Sequence, residues 1–154
     1  MLIYNIIPFK CVALYYNGHL IIIINDQISG GADDDLLQGG AGDDSLSGDS
    51  EDDRLNGGAG FDSLAGGDGN DVLCGGTAPD RLRGGAGADV FVFADGSGQD
   101  VIVDFQGGMD HLQITTTLPI TILDHGANSS VQFGLNSILL LGVAADQLSL
   151  ADIL

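Results

Sequence analysis

Through the middle of the chain a large apolar residue returns at every ninth position: Leu37, Leu46, Leu55, Leu64, Leu73, Leu82 and Phe91. Two residues before each of them stands an aspartate (Asp35, Asp44, Asp53, Asp62, Asp71, Asp80, Asp89), and seven before each stands a glycine. Set in that register, residues 30–92 are seven copies of one unit: GGADDDLLQ, GGAGDDSLS, GDSEDDRLN, GGAGFDSLA, GGDGNDVLC, GGTAPDRLR and GGAGADVFV. A fixed period with three constant offsets is an internal repeat, and it outranks any local reading of helix or strand. Glycine at positions one, two and often four permits dihedrals that residues with a Cβ avoid, so the first six residues are expected to turn tightly. The last three then form a short strand, with position eight facing inward and residues such as Ser45, Arg54, Ser63 and Arg81 facing out.

Two turn-strand units make an eighteen-residue coil, with successive leucines alternating between two facing parallel sheets. The pattern therefore predicts an all-β solenoid in which units two apart stack, Asp35 over Asp53, Asp44 over Asp62, Asp53 over Asp71, Asp62 over Asp80 and Asp71 over Asp89. Carboxylates at strand spacing repel one another and are costly to desolvate unless a cation lies among them. The ligand set on offer is hard oxygen: those seven aspartates, joined by the carbonyls of Gly40, Gly42, Gly58, Gly60, Gly67 and Gly69. Calcium prefers such a set, whereas magnesium demands a smaller, stricter octahedron, and thiolate or imidazole metals find no ligands here.

The unit resembles the G-G-x-G-x-D-x-U-x repeat of the RTX, or haemolysin-type, calcium-binding family, which the general description of nonapeptide repeats already includes. That resemblance implies a right-handed parallel β-roll with calcium between turns, as the C-terminal module of proteins exported by bacterial type I secretion. It implies an extracellular location, an exporter as partner, and folding on meeting calcium outside the cell.

Charge sharpens the picture. The 154 residues carry 22 acids against 4 bases, a net −18, and the repeats alone hold 14 acids against Arg54, Arg81 and Arg83. Such a field disfavours nucleic acid and anionic membrane and favours cations. The length fits one modest domain without room for an ordinary catalytic domain beside the repeats.

Three regions follow: 1–29, 30–92 and 93–154. The first holds a single acid, Asp26, and is rich in Ile, Leu and Tyr. A signal peptide or membrane span is one reading, countered by Pro8, Lys10, the Asn17-Gly18-His19 break and the lack of a small-residue cleavage site. A β-hairpin of Cys11 to Tyr16 and His19 to Ile24 around Asn17-Gly18 is the other, capping the open end of the roll; the end of a larger upstream domain is a third. Stepping back one unit puts Asp26 at position six and Ile28 at position eight, so a degenerate repeat precedes Gly30. Within the repeats, Ala78 replaces a glycine and Pro79 follows it, which makes the pairing of Asp62 with Asp80 the weakest site expected. After Phe93 the strict period stops. Gly96-Ser97-Gly98-Gln99-Asp100-Val101-Ile102-Val103-Asp104-Phe105 and Gly107-Gly108-Met109-Asp110-His111-Leu112 resemble the segment that follows RTX repeats, making Asp100, with Asp104 and Asp110, candidate further ligands. Strands at Ile120 to Leu123, Val131 to Phe133 and Ile138 to Leu141 are expected to close the C-terminal edge, and the last residues resemble a type I export tail.

No catalytic constellation emerges. His19, His111 and His125 lack an H-E-x-x-H context, Ser97 has Asp95 and Gln99 where a G-x-S-x-G nucleophile elbow requires glycine, and neither a phosphate loop nor an EF-hand spacing occurs. Cys11 and Cys74 are two only, and sequence leaves their pairing open. The expectation is a non-enzymatic calcium-binding module that supports secretion and stability. The alternatives are the C-terminal piece of a secreted hydrolase similar to serralysin proteases or lipases, with an upstream catalytic domain, a free-standing structural or adhesive protein associated with the cell surface, or a module resembling those of alginate epimerases that binds acidic polysaccharide through calcium or the outward arginines.

Overall fold

The computed structural model describes residues 14–16, 19–21 and 25–153. Strands β1 (Leu14–Tyr16) and β2 (His19–Ile21) pair antiparallel with Tyr16 opposite His19, the register that a two-residue Asn-Gly loop demands. The outer parts of that hairpin, and Cys11 with any partner it has, lie outside the described residues.

From residue 27 onward the chain winds as expected. Strands β3 (Gln27–Gly31), β5 (Ser45–Ser50), β7 (Ser63–Asp68), β9 (Arg81–Ala86) and β11 (Gln99–Ile102) stack parallel in one sheet. In the facing sheet stack β4 (Leu36–Ala41), β6 (Arg54–Ala59), β8 (Val72–Thr77), β10 (Val90–Ala94) and β12 (His111–Thr115). The partners are units two apart, Leu37 on Leu55 on Leu73 on Phe91 on Leu112 in one sheet, and Ile28 on Leu46 on Leu64 on Leu82 on Ile102 on Leu140 in the other. These two ladders meet between the sheets as a single file of core side chains. Each buried Leu is worth about 1.5–3 kcal/mol, so the core is long but thin. The degenerate unit before Gly30 is present, with β3 carrying Ile28 into register against Leu46.

The strands are twice as long as the three residues expected. They run from position seven of one unit through position three of the next, and the glycine pair lies inside the ladder, Gly40 opposite Gly58 and Ala41 opposite Ala59. Glycine stands there for contact rather than for turning. A Cβ on Gly39 would overlap the Asp44 carboxylate and lie 2.7 Å from the Gly57 carbonyl oxygen. Position two does need left-handed backbone, with φ +108 at Gly40 and +114 at Gly58.

At the C-terminal end β13 (Ile120–Asp124), β14 (Ser129–Phe133) and β15 (Asn136–Leu140) form an antiparallel meander whose last strand pairs parallel with β11. The predicted cap is thus part of the larger sheet, and Phe133, Val131 and Ile138 continue its core. Turns of 3₁₀ helix at Ala145–Gln147 and Leu150–Asp152 follow, with Ile153 bridging to Leu112 on the other sheet.

Strain marks particular units. Asp33, Asp49, Glu51 and Ala78 hold φ values between +74 and +86, where a Cβ is unfavourable. Asp49 is held by the Ser29 and Ser47 hydroxyls, which donate to its carboxylate; Ala78 has no side-chain bond to offset the strain. Ala78→Gly is therefore expected to stabilise the roll by about 1 kcal/mol, and Gly57→Ala to destabilise it by about 1–3 kcal/mol through overlap with Asp62. Denaturant unfolding in excess calcium reads both signs; a destabilising Ala78→Gly contradicts the strain argument.

Candidate metal-binding turns

Between one strand and the next, positions four to six make the bend that carries the repeating aspartate. The position-six side chain does not point to solvent. Asp53 is 1 % exposed and Asp71 and Asp89 are 0 %, with Asp44, Asp62, Asp80 and Asp100 nearly as buried; Asp35, at the open end, is half-buried.

From Asp44 on, one oxygen of each carboxylate is tied to the preceding coil. The backbone N–H of Asp26 donates to Asp44, that of Asp35 to Asp53, Asp44 to Asp62, Asp53 to Asp71, Asp62 to Asp80 and Asp71 to Asp89, over 2.7–3.0 Å. The ladder goes on past the strict repeats. Asp80 N–H donates to Asp100 at 3.0 Å and Asp89 N–H to Asp110 at 3.1 Å, with spacings of 20 and 21 residues instead of 18. Phe93-Ala94 are an insertion, after which residues 95–103 form an eighth unit with Gly96 and Gly98 at its positive-φ positions.

The second oxygen is bare. Oδ2 of Asp44, Asp53, Asp62, Asp71, Asp80, Asp89 and Asp100 is buried and accepts no hydrogen bond. An unpaired buried carboxylate oxygen costs several kcal/mol in water-excluded surroundings. Among the described residues one ion pair occurs, Arg83 with Asp104 at 3.4 Å, and it does not reach this row. Nor do three carboxylate, imidazole or thiol side chains converge anywhere among them. Any cation along the turns would thus need backbone oxygen as well as aspartate. The turns present it: the carbonyls of Gly40, Gly42, Gly58, Gly67 and Gly69 point along the roll at the Cα of the glycine one coil on, within reach only because that residue has no side chain. Gly60 stacks on Gly42 at φ +131, in the same line. Carboxylate and carbonyl oxygens together fit a hard divalent cation with a preference for oxygen.

Two of the three acids named after the strict repeats have both oxygens hydrogen-bonded. Asp104 accepts from the N–H groups of Gly84 and Gly85, and Asp110 from Asp89 and Gln106, so their oxygens are already occupied. They close the end of the roll, and Asp100 alone of the three keeps a bare oxygen. Position five was overlooked by pattern reading. Asp43 accepts from the N–H of Phe61, Asp34 from Asp52, Asp52 from Asn70 and Asn70 from Ala88, so this outer column laces the coils in the opposite direction. Where Phe61 breaks it by lacking an acceptor, the residue one coil on is Pro79, which has no N–H to donate. A run of Asp or Asn at Asn25, Asp34, Asp43, Asp52 and Asn70 was the available signal.

An all-β solenoid with bare acid oxygens aligned on glycine carbonyls defines a class: a parallel β-roll whose turns hold hard divalent cations. Residues 24–55, 47–78 and 75–102 match the RTX calcium-binding nonapeptide repeat (4 copies), more than half of the chain, and the protein belongs to that family. Its repeats are calcium-binding repeats and calcium is their ion. Among solved structures the chain is similar to the AlgE6R3 subunit of the Azotobacter vinelandii mannuronan C5-epimerase, at 27 % identity and TM-score 0.57 over 78 % of each chain. It is also similar to the AlgE6R2 subunit of the same enzyme, at 27 % identity and TM-score 0.51, over 85 % of this chain and 91 % of that one. No curated protein matches the chain significantly. No helix among the described residues is long and apolar enough to cross a membrane.

Burial sets the acid–base behaviour of the metal-free turns. It pushes Asp53, Asp62 and Asp71 above the usual carboxylate range, Asp80 and Asp89 up to about 6, and Asp100 up to about 7. A raised folded-state pKa means that the fold retains protons that the unfolded chain releases, so stability falls as pH rises from about 4 to 7. Protein stripped of divalent ions should therefore show more β structure by circular dichroism at pH 4.5 than at pH 7.5, and the difference should vanish in millimolar calcium. Metal-free β structure that increases with pH contradicts this reading.

Proposed function

We propose that the roll binds calcium between successive coils and that this binding completes its folding. The position-six carboxylates of Asp35, Asp44, Asp53, Asp62, Asp71, Asp80, Asp89 and Asp100 act with the carbonyls of Gly40, Gly42, Gly58, Gly60, Gly67 and Gly69. The row of buried carboxylate oxygens without a counter-charge carries the proposal. Calcium supplies the positive charge for which that row has no side chain. The aspartates contribute the charge and hold adjacent coils in register through their other oxygen; the glycines admit the carbonyls. Because the ion binds only the ordered turns, it stabilises the native state by mass action. The pairing of Asp62 with Asp80 is the weakest, since Ala78 strains the turn and the outer lacing is broken at Phe61 and Pro79.

Calcium modules outside the cell typically have dissociation constants of about 10⁻⁴–10⁻³ M. A chain of this kind stays loose where calcium is scarce and folds where it is plentiful. That suits a non-enzymatic module at the end of an exported protein, passing a type I exporter unfolded and then steadying its cargo outside. The likeness to two subunits of a mannuronan epimerase favours a second reading, in which the outward Arg54, Arg81 and Arg83 hold an acidic polysaccharide.

Calcium titrated into chelated protein, followed by far-ultraviolet circular dichroism with magnesium as control, tests the coupling. A cooperative, calcium-selective gain of β signal is expected. The same spectrum in chelator as in millimolar calcium overturns it and leaves a static scaffold.

A further inference from the structure

Apolar surface that neither the core nor the turns use is gathered at the C-terminal end of the molecule. Leu135 is 96 % exposed, Leu118 42 % and Ile120 41 %. They are neighbours. Ile120 stands opposite Phe133 across β13 and β14, the two-residue loop Gly134-Leu135 follows Phe133, and Leu118 lies over Gly134, where a Cβ would meet its Cδ1. Hydrogen bonds hold the patch in place. The Thr116 hydroxyl donates to Asp95 on the roll and accepts the Leu118 N–H, and Pro119 stiffens the step into β13. On the other side the Asn136 amide donates to the Phe133 carbonyl and accepts the Gly98 N–H, which ties the turn to the eighth unit. Tight turns favour Gly, Asn, Asp or Ser, so the turn itself gives no reason for a leucine at its tip.

Charge says what kind of surface fits there. In a protein of net −18 the stretch from Leu112 to Ala145 holds one acid, Asp124, and no Lys or Arg occurs from Leu112 to the C-terminus. β13 ends its sheet, paired on one side only among the described residues, without the lysines that usually guard such an edge. A basic partner would be drawn to the acidic turns instead. A contact about a two-fold axis needs a surface that fits itself, and a neutral apolar patch meets that condition. Repulsion between two acidic rolls is weak at this point. β13 lies three strand spacings beyond β11, about 14 Å, which exceeds the ~8 Å reach of exposed charges at physiological salt. The three side chains and Pro119 present on the order of 300 Å² per copy; with a polar rim, two copies bury about 1,000 Å² in total, the low end for a specific dimer.

We propose that a second copy of this chain docks on this patch, Leu118, Ile120 and Leu135 packing about a two-fold axis against the same side chains of the partner. The dimer joins two rolls at their C-terminal caps and leaves every calcium turn free. It also covers the unguarded edge at β13, on which other strands would add.

Analytical ultracentrifugation of the full chain in millimolar calcium, from about 1 to 100 µM, tests the dimer beside two variants. Leu135→Asn puts a residue favoured in tight turns at a position outside the core, so its circular dichroism should match that of the parent. Leu36→Asn changes another exposed leucine, at the far end of the roll. The expected result is a monomer–dimer equilibrium within that range, with a dissociation constant raised about tenfold or more by Leu135→Asn and unchanged by Leu36→Asn. Amide exchange in residues 118–124 should slow as the concentration rises. A chain that stays monomeric throughout, a dimer that Leu135→Asn leaves intact or Leu36→Asn disrupts, or a monomer that instead floats with zwitterionic vesicles through Leu135 overturns the proposal.

Discussion

From Asp44 to Asp100 each position-six aspartate has one oxygen fastened to the coil before and one oxygen left bare, and the rest of the roll is arranged around that division. The fastened oxygen sets the eighteen-residue register, because a carboxylate that must meet the N–H of the aspartate two units earlier permits no slip. The leucine two residues on then enters the core file in the same register every time. The bare oxygen explains the glycine at position one, since a Cβ there would occupy its place. It also leaves a row of buried negative charge to which the described residues bring no base.

The core cannot substitute for that interaction. A single file of leucines between two sheets gives each coil little apolar burial, and the outer column of Asp34, Asp43, Asp52 and Asn70 adds backbone lacing without neutralising charge. Where the chain has no bare carboxylate oxygens, the construction changes to an antiparallel meander with Val131, Phe133 and Ile138 in its core. Asp104 and Asp110 stand at that change, with N–H donors in place of a cation. The molecule thus joins a roll of calcium-binding repeats to an antiparallel cap through a few aspartates that serve the same ladder in two ways.

Most of the roll was legible because its period is carried by residues that tolerate no substitute. Leu at position eight and Asp at position six gave the coil length and the stacking partners, and stepping back by nine found Asp26 and Ile28. The strand bounds were not legible, because Gly39-Gly40 reads as a turn by propensity, whereas the parallel ladder carries it as strand. The roles of Asp104 and Asp110 depend on where Gly84 and Gln106 place their N–H groups, which no spacing rule gives. The eighth unit was hidden by the insertion of Phe93-Ala94, although its Gly96, Gly98 and Asp100 keep the offsets of the earlier repeats.

The most direct test of the central claim is anomalous diffraction from crystals grown in calcium, which locates the ions without reference to the protein's own scattering. The account predicts peaks between stacked coils along both rows of turns, flanked by the position-six aspartates and the glycine carbonyls and ending before Asp110. Calcium found only among the exposed acids such as Asp34 and Asp52, or turns ordered with no ion between them, would contradict it.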